Sequence, residues 1–172
     1  MTPSLKVFKT NEYAETPKFA TQGSACFDLK ACFTPNTKVK TYNPWNKEVE
    51  VPVKNYGGRP GVQVHPGYRV MMPTGLIFDI EPDHVIKVYA RSGTALKRGL
   101  MLANGVGVVD SDFIHETHVL LYNTSDGPIT ITQGERIAQA MLERTNYYVF
   151  EEISEAPTQK TDREGGFGST GE

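Results

Sequence analysis

The apolar residues of this chain occur in short stretches of four to six positions, and this pattern constrains the fold more than any other feature. Residues 86–90, 117–122 and 147–150 show it, and each stretch is bounded by turn-forming residues. Stretches of this length and composition predict β-strands. Residues 123–128 are turn formers followed by the alternating residues 129–132, which predicts a β-hairpin between the second and the next strand.

A helical pattern is confined to one short segment. Residues 94–100 span barely two turns, Gly99 predicts the end of the helix, and Ser92 or Thr94 is expected to cap its beginning. With 16 glycines and 11 prolines in 172 residues the chain is rich in turns, and its length suits one domain. We therefore predict a mainly β domain, a sandwich or barrel-like fold with one short helix.

The charge balance and the cysteines argue against several classes of protein. Eighteen Lys and Arg against 20 Asp and Glu give a net charge of −2, without the basic excess that nucleic acid selects. No apolar run is long enough to cross a membrane and no export signal is visible, so we expect a cytoplasmic protein. Cys26 and Cys32 are too few for a disulfide framework and are expected to be free thiols.

Residues 37–59 differ in composition from the rest of the chain and are predicted to form an inserted arm. Five Lys or Arg residues lie there among aromatic side chains, and valines alternate with glutamates before Pro52. A proline in such a pattern is typical of an edge strand. Two interpretations stay open, which are a surface hairpin packed on its own domain and an arm that binds a protein partner.

The end of the chain is polar and then rich in glycine, which predicts a tail over residues 157–172 beyond a domain of residues 1–156. Residues 166–171 match the G-x-G-x-x-G pattern of dinucleotide-binding proteins, but no helix follows to receive a pyrophosphate, so we reject the match. Arg163 and Phe167 could instead close the tail over a nucleotide. A flexible tail without a role is the alternative.

Two internal motifs suit nucleotide chemistry, although each has an ordinary structural explanation. Residues 90–93 follow a predicted strand, where Arg91 and free N–H groups could hold a phosphate, or a hydroxyl could merely cap a helix. Residues 104–110 contain glycines for a tight hairpin against a planar ligand, and two valines before Asp110 could keep it out of bulk water. Such an aspartate could orient a water for attack or simply end a strand.

The order of these motifs is more specific than any one of them. Residues 24–29, 90–93, 104–113, 134–139 and 163–171 resemble, in that order, the five motifs of the trimeric dUTP pyrophosphatase (dUTPase) family. The resemblance implies a jelly-roll-like, distorted β-barrel and a homotrimer whose active sites are shared, with the tail of one subunit closing over a neighbouring site. It also implies hydrolysis of dUTP to dUMP and pyrophosphate, which keeps uracil out of DNA and supplies dUMP for thymidylate synthesis.

The resemblance assigns a role to each matching residue. Asp110 is implied to hold the attacking water, and Arg163 to clamp the phosphates. The residues implied to bind the substrate are Arg91, Ser92, Gly93 and Gln139 at the phosphates, Asn104, Gly107 and Val108 at the uracil edge, Phe113 at the deoxyribose, and Phe167 and Gly168 in the tail. Mg²⁺ is implied as cofactor, held mainly by the triphosphate, with Asp28 contributing through water.

The chain departs from the family pattern in several places. Phe113 stands where tyrosine is usual, and Arg163 lies one residue closer to Phe167 than is usual. The 63 positions between Asp28 and Arg91 exceed the usual connection, and residues 37–59 account for the excess. Two other functions stay open, namely a nucleotide-gated regulator that binds a partner through this arm, and a relative of dCTP deaminase. The expected compartment is the cytoplasm, or the host cytoplasm for a viral protein, and the nucleus stays open as an alternative.

Overall fold

A computed structural model describes residues 4–162, which form fourteen strands and one helix. The helix is α1 (Ser92–Arg98). The strands are β1 (Lys6–Lys9), β2 (Phe27–Lys30), β3 (Lys38–Tyr42), β4 (Glu48–Pro52), β5 (Lys54–Tyr56), β6 (Arg59–Val64), β7 (Arg69–Pro73), β8 (Leu76–Asp79), β9 (His84–Tyr89), β10 (Leu100–Leu102), β11 (Gly107–Val109), β12 (His118–Asn123), β13 (Ile129–Thr132) and β14 (Arg136–Arg144).

These strands form four antiparallel sheets around one core. The five-stranded sheet has the order β10-β12-β7-β3-β4, and the four-stranded sheet the order β11-β9-β14-β2. A three-stranded sheet, β13-β6-β5, and the pair β1-β8 complete the fold. Strand alternation sends one side chain in two into the core, as in β12, where Val119, Leu121 and Asn123 are buried. The prediction of a mainly β, jelly-roll-like fold with one short helix is confirmed.

The predicted hairpin at residues 123–128 is wrong in its pairing. The turn exists, but β12 belongs to the five-stranded sheet whereas β13 pairs with β6 in another sheet. Asn123, fully buried, holds the turn by donating from Nδ2 to the carbonyls of Val64 and Gly127, both at 2.8 Å. The chain therefore changes sheets here, which local turn chemistry cannot reveal.

Two other local predictions need correction. Residues 147–150 form no strand, and all four side chains are more than 70% exposed, because none of the strands within residues 4–162 pairs with them. Helix α1 begins at Ser92, two residues before the predicted start, and its N-cap is Arg91 without a side-chain capping bond. Thr94 is buried inside the first turn. The predicted end is confirmed, since Gly99 adopts the left-handed conformation with φ of 65°.

Residues 37–59 form strands that belong to the sheets of the domain. Strand β3 pairs with β7 and buries Val39 and Thr41, and β4 forms the expected edge strand. The turn between β3 and β4 is held against strand β7, because Arg69 donates to Asn46 Oδ1 at 2.6 Å. Trp45, at the tip of this turn, is 76% exposed. Over the described residues, the protein has no helix long and apolar enough to cross a membrane.

Candidate active site

Five of the residues predicted to bind phosphate or magnesium come together in one cavity of about 310 Å³. We call it the basic pocket. Its lining comprises Ser24, Cys26, Asp28, Arg91, Ser92, Gly93, Arg136 and Gln139, with Ala20 and Ala25 at the margin. The segments that carry these residues lie more than 40 positions apart in the sequence, so their convergence is a property of the sheet.

Strand register explains how the basic pocket forms. In the four-stranded sheet β14 lies between β2 and β9, with Gln139 opposite both Asp28 and Tyr89. Side chains that face each other across strands point to the same face of a sheet, so Asp28 and Gln139 stand side by side. Gln139 Nε2 donates to the carbonyl of Ala90 at 3.0 Å, which fixes the amide beside Arg91.

A single carboxylate links the two arginines of the basic pocket. Asp28 Oδ1 accepts from Arg91 Nε at 3.0 Å, and Asp28 Oδ2 accepts from Arg136 Nη1 at 3.2 Å. Two guanidinium groups against one carboxylate leave a local excess of positive charge. The basic pocket is therefore suited to an anion with several oxygens, such as a phosphate group.

Arg136 is the functional candidate that the sequence reasoning missed. Regular alternation would place Arg136 and Gln139, three residues apart, on opposite faces of β14. A bulge between Arg136 and Ala138 shifts the register, and Ile137 and Ala138 are both buried in succession. The bulge thus turns Arg136 to the same face as Gln139. The fourth motif carries a basic residue three positions before Gln139, and this basic residue was the available sign that Arg136 belongs to the site.

The thiol of Cys26 also lines the basic pocket. Burial, and to a smaller extent the nearby charge of Glu143, raises the pKa of this thiol. The group is therefore protonated near neutral pH, and its part in the basic pocket is that of a small apolar wall.

The residues predicted to bind the base and the attacking water line a second cavity of about 260 Å³, which we call the loop pocket. Its lining includes the predicted residues Asn104, Gly107, Val108, Asp110 and Phe113, together with Glu116, Thr117 and His118, which the sequence reasoning did not assign. The segment is not the tight two-stranded hairpin that was expected. Strand β10 pairs with β12 and β11 pairs with β9, so the intervening turn crosses between two sheets.

Two different constraints explain the glycines at positions 105 and 107, namely a positive φ at the first and close packing at the second. Gly105 has φ of 70°, and Val106 N donates to the Asn104 carbonyl at 2.8 Å. A Cβ atom at Gly107 would come within 3.0 Å of Val88 Cβ. The backbone at Gly107 consequently packs closely against Val88 of β9, with the side chain of Asn104 nearby.

The side chain of Asp110 is exposed, contrary to the expectation that Val108 and Val109 would shield it. Val109 is buried, but Val108 points outward and is 59% exposed. Alternation along β11 allows only one of two adjacent valines to reach the core. Phe113 N donates to the Asp110 carbonyl at 3.1 Å, and the Phe113 ring lies edge-on to His115 at 5.7 Å.

Asp110 and Arg91 lie at opposite ends of β9. Val109 pairs with Ile86, so Asp110 is level with Val85, whereas Arg91 follows the other end of the same strand. Six residue positions of extended chain correspond to about 20 Å. One chain therefore cannot place Asp110 and Arg91 on the same phosphate group. The predicted residues Arg163, Phe167 and Gly168 lie outside the described residues.

Comparison with solved structures identifies the fold class. The chain superposes on a dUTPase of Staphylococcus bacteriophage 80alpha, solved with dUPNHPP, with a TM-score of 0.76 over 99% of each chain at 19% identity. A mutant dUTPase of phage phi11 of S. aureus, described with a structural Mg(II) ion, gives a TM-score of 0.69 over 91% of this chain and 100% of that chain at 15% identity. The fold is thus that of a dUTPase-type jelly-roll β protein.

Sequence comparison narrows the class to a family. The dUTPase family profile matches residues 59–171. The deoxyuridine 5'-triphosphate nucleotidohydrolase of Rhizobium rhizogenes is 33% identical over 91% of this chain and 85% of its own length. That of Neisseria meningitidis is 33% identical over 97% of this chain and 95% of its own length. The chain belongs to the dUTPase family.

Proposed function

We propose that this protein hydrolyses dUTP to dUMP and pyrophosphate, as an enzyme that acts on a phosphoric anhydride. The observation that carries the proposal is the convergence of Asp28, Arg91, Gln139 and the Ser92–Gly93 pair on one basic pocket. These residues match three family motifs that lie in different parts of the chain. The loop pocket is lined by the residues that match the family's positions for the base and the attacking water. The phosphates and the base of a nucleotide therefore each have a candidate pocket.

In the proposed reaction Asp110 orients a water and accepts its proton. The water oxygen forms a bond to the α-phosphorus while the bond from that phosphorus to the bridging oxygen breaks, and pyrophosphate leaves. The guanidinium of Arg91 and the amide of Gln139 stabilise the negative charge that grows on the leaving group. Arg163 from the tail is proposed to add a further positive charge there.

The turn of the loop pocket is proposed to recognise uracil through hydrogen bonds. Its main-chain groups through Gly107 and Val108, with the Asn104 amide, offer donors and acceptors in a fixed arrangement. Cytosine carries an amino group where uracil has a carbonyl, so it would leave buried polar groups unpaired. The ring of Phe113 is proposed to lie against deoxyribose and to exclude a 2′-hydroxyl, while Phe167 and Gly168 cover the base.

The residues of the basic pocket are compatible with Mg²⁺ arriving on the triphosphate. Within residues 4–162 no group of three His, Cys, Asp or Glu side chains forms a metal site, and Mg²⁺ commonly keeps waters and phosphate oxygens as ligands. Asp28 is the carboxylate of the basic pocket, and its remaining lone pairs could accept hydrogen bonds from metal-bound waters. When bound, the ion would neutralise phosphate charge.

We further propose that three copies assemble with shared sites. The separation of about 20 Å between Asp110 and Arg91 supports an arrangement in which the loop pocket of one chain meets the basic pocket of another. The outer face of the five-stranded sheet supports this arrangement, because Met71, Met101, Leu120 and Tyr122 are all at least 36% exposed there. Met71 and Leu120 also line the loop pocket. A neighbouring copy would cover this apolar face and complete the site.

Mixing two inactive variants tests the shared site. D110N removes the Asp110 carboxylate from the loop pocket, and R91Q removes one guanidinium group from the basic pocket. Each variant alone should therefore be inactive. In randomly mixed oligomers about a quarter of the sites would combine an intact loop pocket with an intact basic pocket. Co-expression of differently tagged chains should therefore restore a measurable part of wild-type activity. Absence of any recovery in isolated mixed oligomers would contradict shared sites.

Pyrophosphate release with Mg²⁺ and each of dUTP, dCTP, dTTP and UTP tests the reaction itself. Strong preference for dUTP is the expected result, and failure to turn over dUTP would refute the proposal. Ammonia release from dCTP would instead indicate the deaminase alternative, which the relatives reported above do not favour.

The arm of residues 37–59 is proposed to offer a surface for a protein partner, with exposed Trp45 as its anchor. Deleting the arm would remove buried Val39 and Thr41 from the core, so W45A is the better test. Turnover should be unchanged in W45A, whereas capture of a partner from extract should be lost. Unchanged capture would argue for a surface hairpin without a partner. We keep the cytoplasm as the proposed compartment.

A further inference from the structure

The basic pocket contains a bridge that none of the assigned roles explains. The carboxylate of Asp28 is 17% exposed, and each of its oxygens accepts a hydrogen bond from a different arginine, Arg91 at 3.0 Å and Arg136 at 3.2 Å. A carboxylate that served only to hold waters would not need both oxygens engaged by guanidinium groups. The bridge therefore suggests that Asp28 organises the positive charges of the pocket.

We propose that Arg136 is a second phosphate-binding residue and that Asp28 is a positioning residue, which holds Arg136 and Arg91 at a fixed separation for the pyrophosphate part of the substrate. The inference rests on the proposed function, because it concerns the same pocket. It differs from the role through metal-bound water that the family resemblance implies for Asp28.

The donors that remain free support this assignment. Arg91 uses Nε for Asp28, and its Nη1 makes only a long contact of 3.4 Å with the Arg136 carbonyl. Arg136 uses one N–H of Nη1 for Asp28, and its side chain is 51% exposed. Most of the five N–H donors of each guanidinium are thus available, and such donors match pairs of phosphate oxygens.

Electrostatics explains why the bridge is needed. Two guanidinium groups that converge on one cavity repel each other, and without an intervening anion their flexible side chains would separate. Asp28 removes that repulsion and leaves the pocket with a net positive charge. The bulge in β14 is the backbone feature that makes the arrangement possible, because it turns Arg136 toward Asp28.

The first experiment measures the affinity of the full-length protein for inorganic pyrophosphate by calorimetry without Mg²⁺. R136Q and D28N should each weaken pyrophosphate binding about tenfold, as expected for the loss of one charge-assisted contact. R136K should recover only part of the affinity, because an ammonium cannot form the paired contacts of a guanidinium. R144Q is the matched control, since Arg144 lies on the same strand, is 79% exposed and pairs with Asp83 outside the basic pocket.

Kinetics then separate positioning from a role in magnesium binding. At saturating Mg²⁺, R136Q and D28N should raise the KM for dUTP about tenfold, and the Mg²⁺ concentration for half-maximal activity should stay unchanged. In the double variant D28N/R136Q the loss should be smaller than the product of the single losses, because both act on the same contact.

Two results would overturn the inference. One is wild-type affinity for pyrophosphate in R136Q. The other is a D28N protein that binds metal-free pyrophosphate normally but needs much more Mg²⁺, which would return Asp28 to a role in magnesium binding. If D28N does not fold, the pyrophosphate affinities of R136Q and R136K provide the test, and partial recovery in R136K supports the inference. Binding of pyrophosphate without turnover of dUTP would refute the proposed function while leaving this inference intact.

Discussion

The basic pocket and the loop pocket both lie beside strand β9, but they are supported in different ways. In the basic pocket, side chains hold one another, since Asp28 bridges two arginines and Gln139 is bonded to the Ala90 carbonyl. The strands beneath it are firmly packed, with Leu29, Ala138 and Ala140 fully buried. In the segment of residues 102–113, which lines the loop pocket, the hydrogen bonds are between main-chain groups, and Asn104, Asp110 and Phe113 are exposed.

The difference follows from what each pocket must recognise. Several charged groups in one place require opposing charges and hydrogen bonds to stay in position. A planar base can be read by the main chain of a turn, whose geometry is set by glycines and by contact with β9. In the proposed shared site, the remaining wall of the loop pocket would come from another chain. The following variants test this contrast, beginning with the largest expected effect.

Replacement of Asp110 should have the largest effect, although its side chain makes few contacts. D110N should lower kcat by about 10²–10⁴-fold while leaving the KM for dUTP near its normal value, because the carboxylate acts on the water. Steady-state kinetics provide the measurement. D112N is the matched control on the same turn and should keep most of the activity. A similar loss in both variants would mean that the turn, and not the carboxylate, had been disturbed.

Truncation of the core below the basic pocket should cost the most stability. L29A removes a fully buried side chain next to Asp28, and the free energy of unfolding should fall by about 2–5 kcal/mol. V106A, in the exposed turn of the loop pocket, should change it by less than about 0.5 kcal/mol. Denaturant titration of both proteins compares them directly. Equal losses would show that the two pockets are supported alike.

Changes at Phe113 should alter selectivity more than stability. The ring is 41% exposed in the single chain, so F113A should leave the folded protein intact. It should weaken discrimination against UTP about tenfold, because the space beside C2′ is opened. F113Y keeps the ring and should discriminate as the wild type does. The ratio of kcat/KM for dUTP and UTP is the measurement, and an unchanged ratio in F113A would remove Phe113 from the sugar site.

The smallest effect should come from an ion pair beside the basic pocket. Hydrogen bonds from Lys87 and Tyr89 lower the pKa of the Glu143 carboxyl. A lowered folded-state pKa contributes stability above the ordinary value of 4.5, and this contribution is lost as the pH falls below it. E143Q should therefore melt slightly below the wild type at pH 7, and the two proteins should converge as the pH falls below the lowered folded-state pKa of Glu143. Constant differences across that range would contradict the assignment, with E152Q as the surface control.

Much of the site could be predicted because each motif is local. The order of the motifs predicted a role for Arg91, Ser92, Gly93 and Gln139, and these residues line one cavity. Arg136 could not be placed, because alternation puts it on the wrong face and only the bulge in β14 corrects this. The exposure of Asp110 also escaped prediction, since two adjacent valines look equally apolar in a sequence.

The sequence by itself determined the mainly β character, most strand positions and the end of the helix at Gly99, because alternation and left-handed turns are properties of a few neighbouring residues. Tertiary structure decided which strands pair. It separated β12 from β13, left residues 147–150 unpaired, and placed Asp110 and Arg91 at opposite ends of β9. Pairing depends on which distant faces bury each other, and that information is spread over the whole chain.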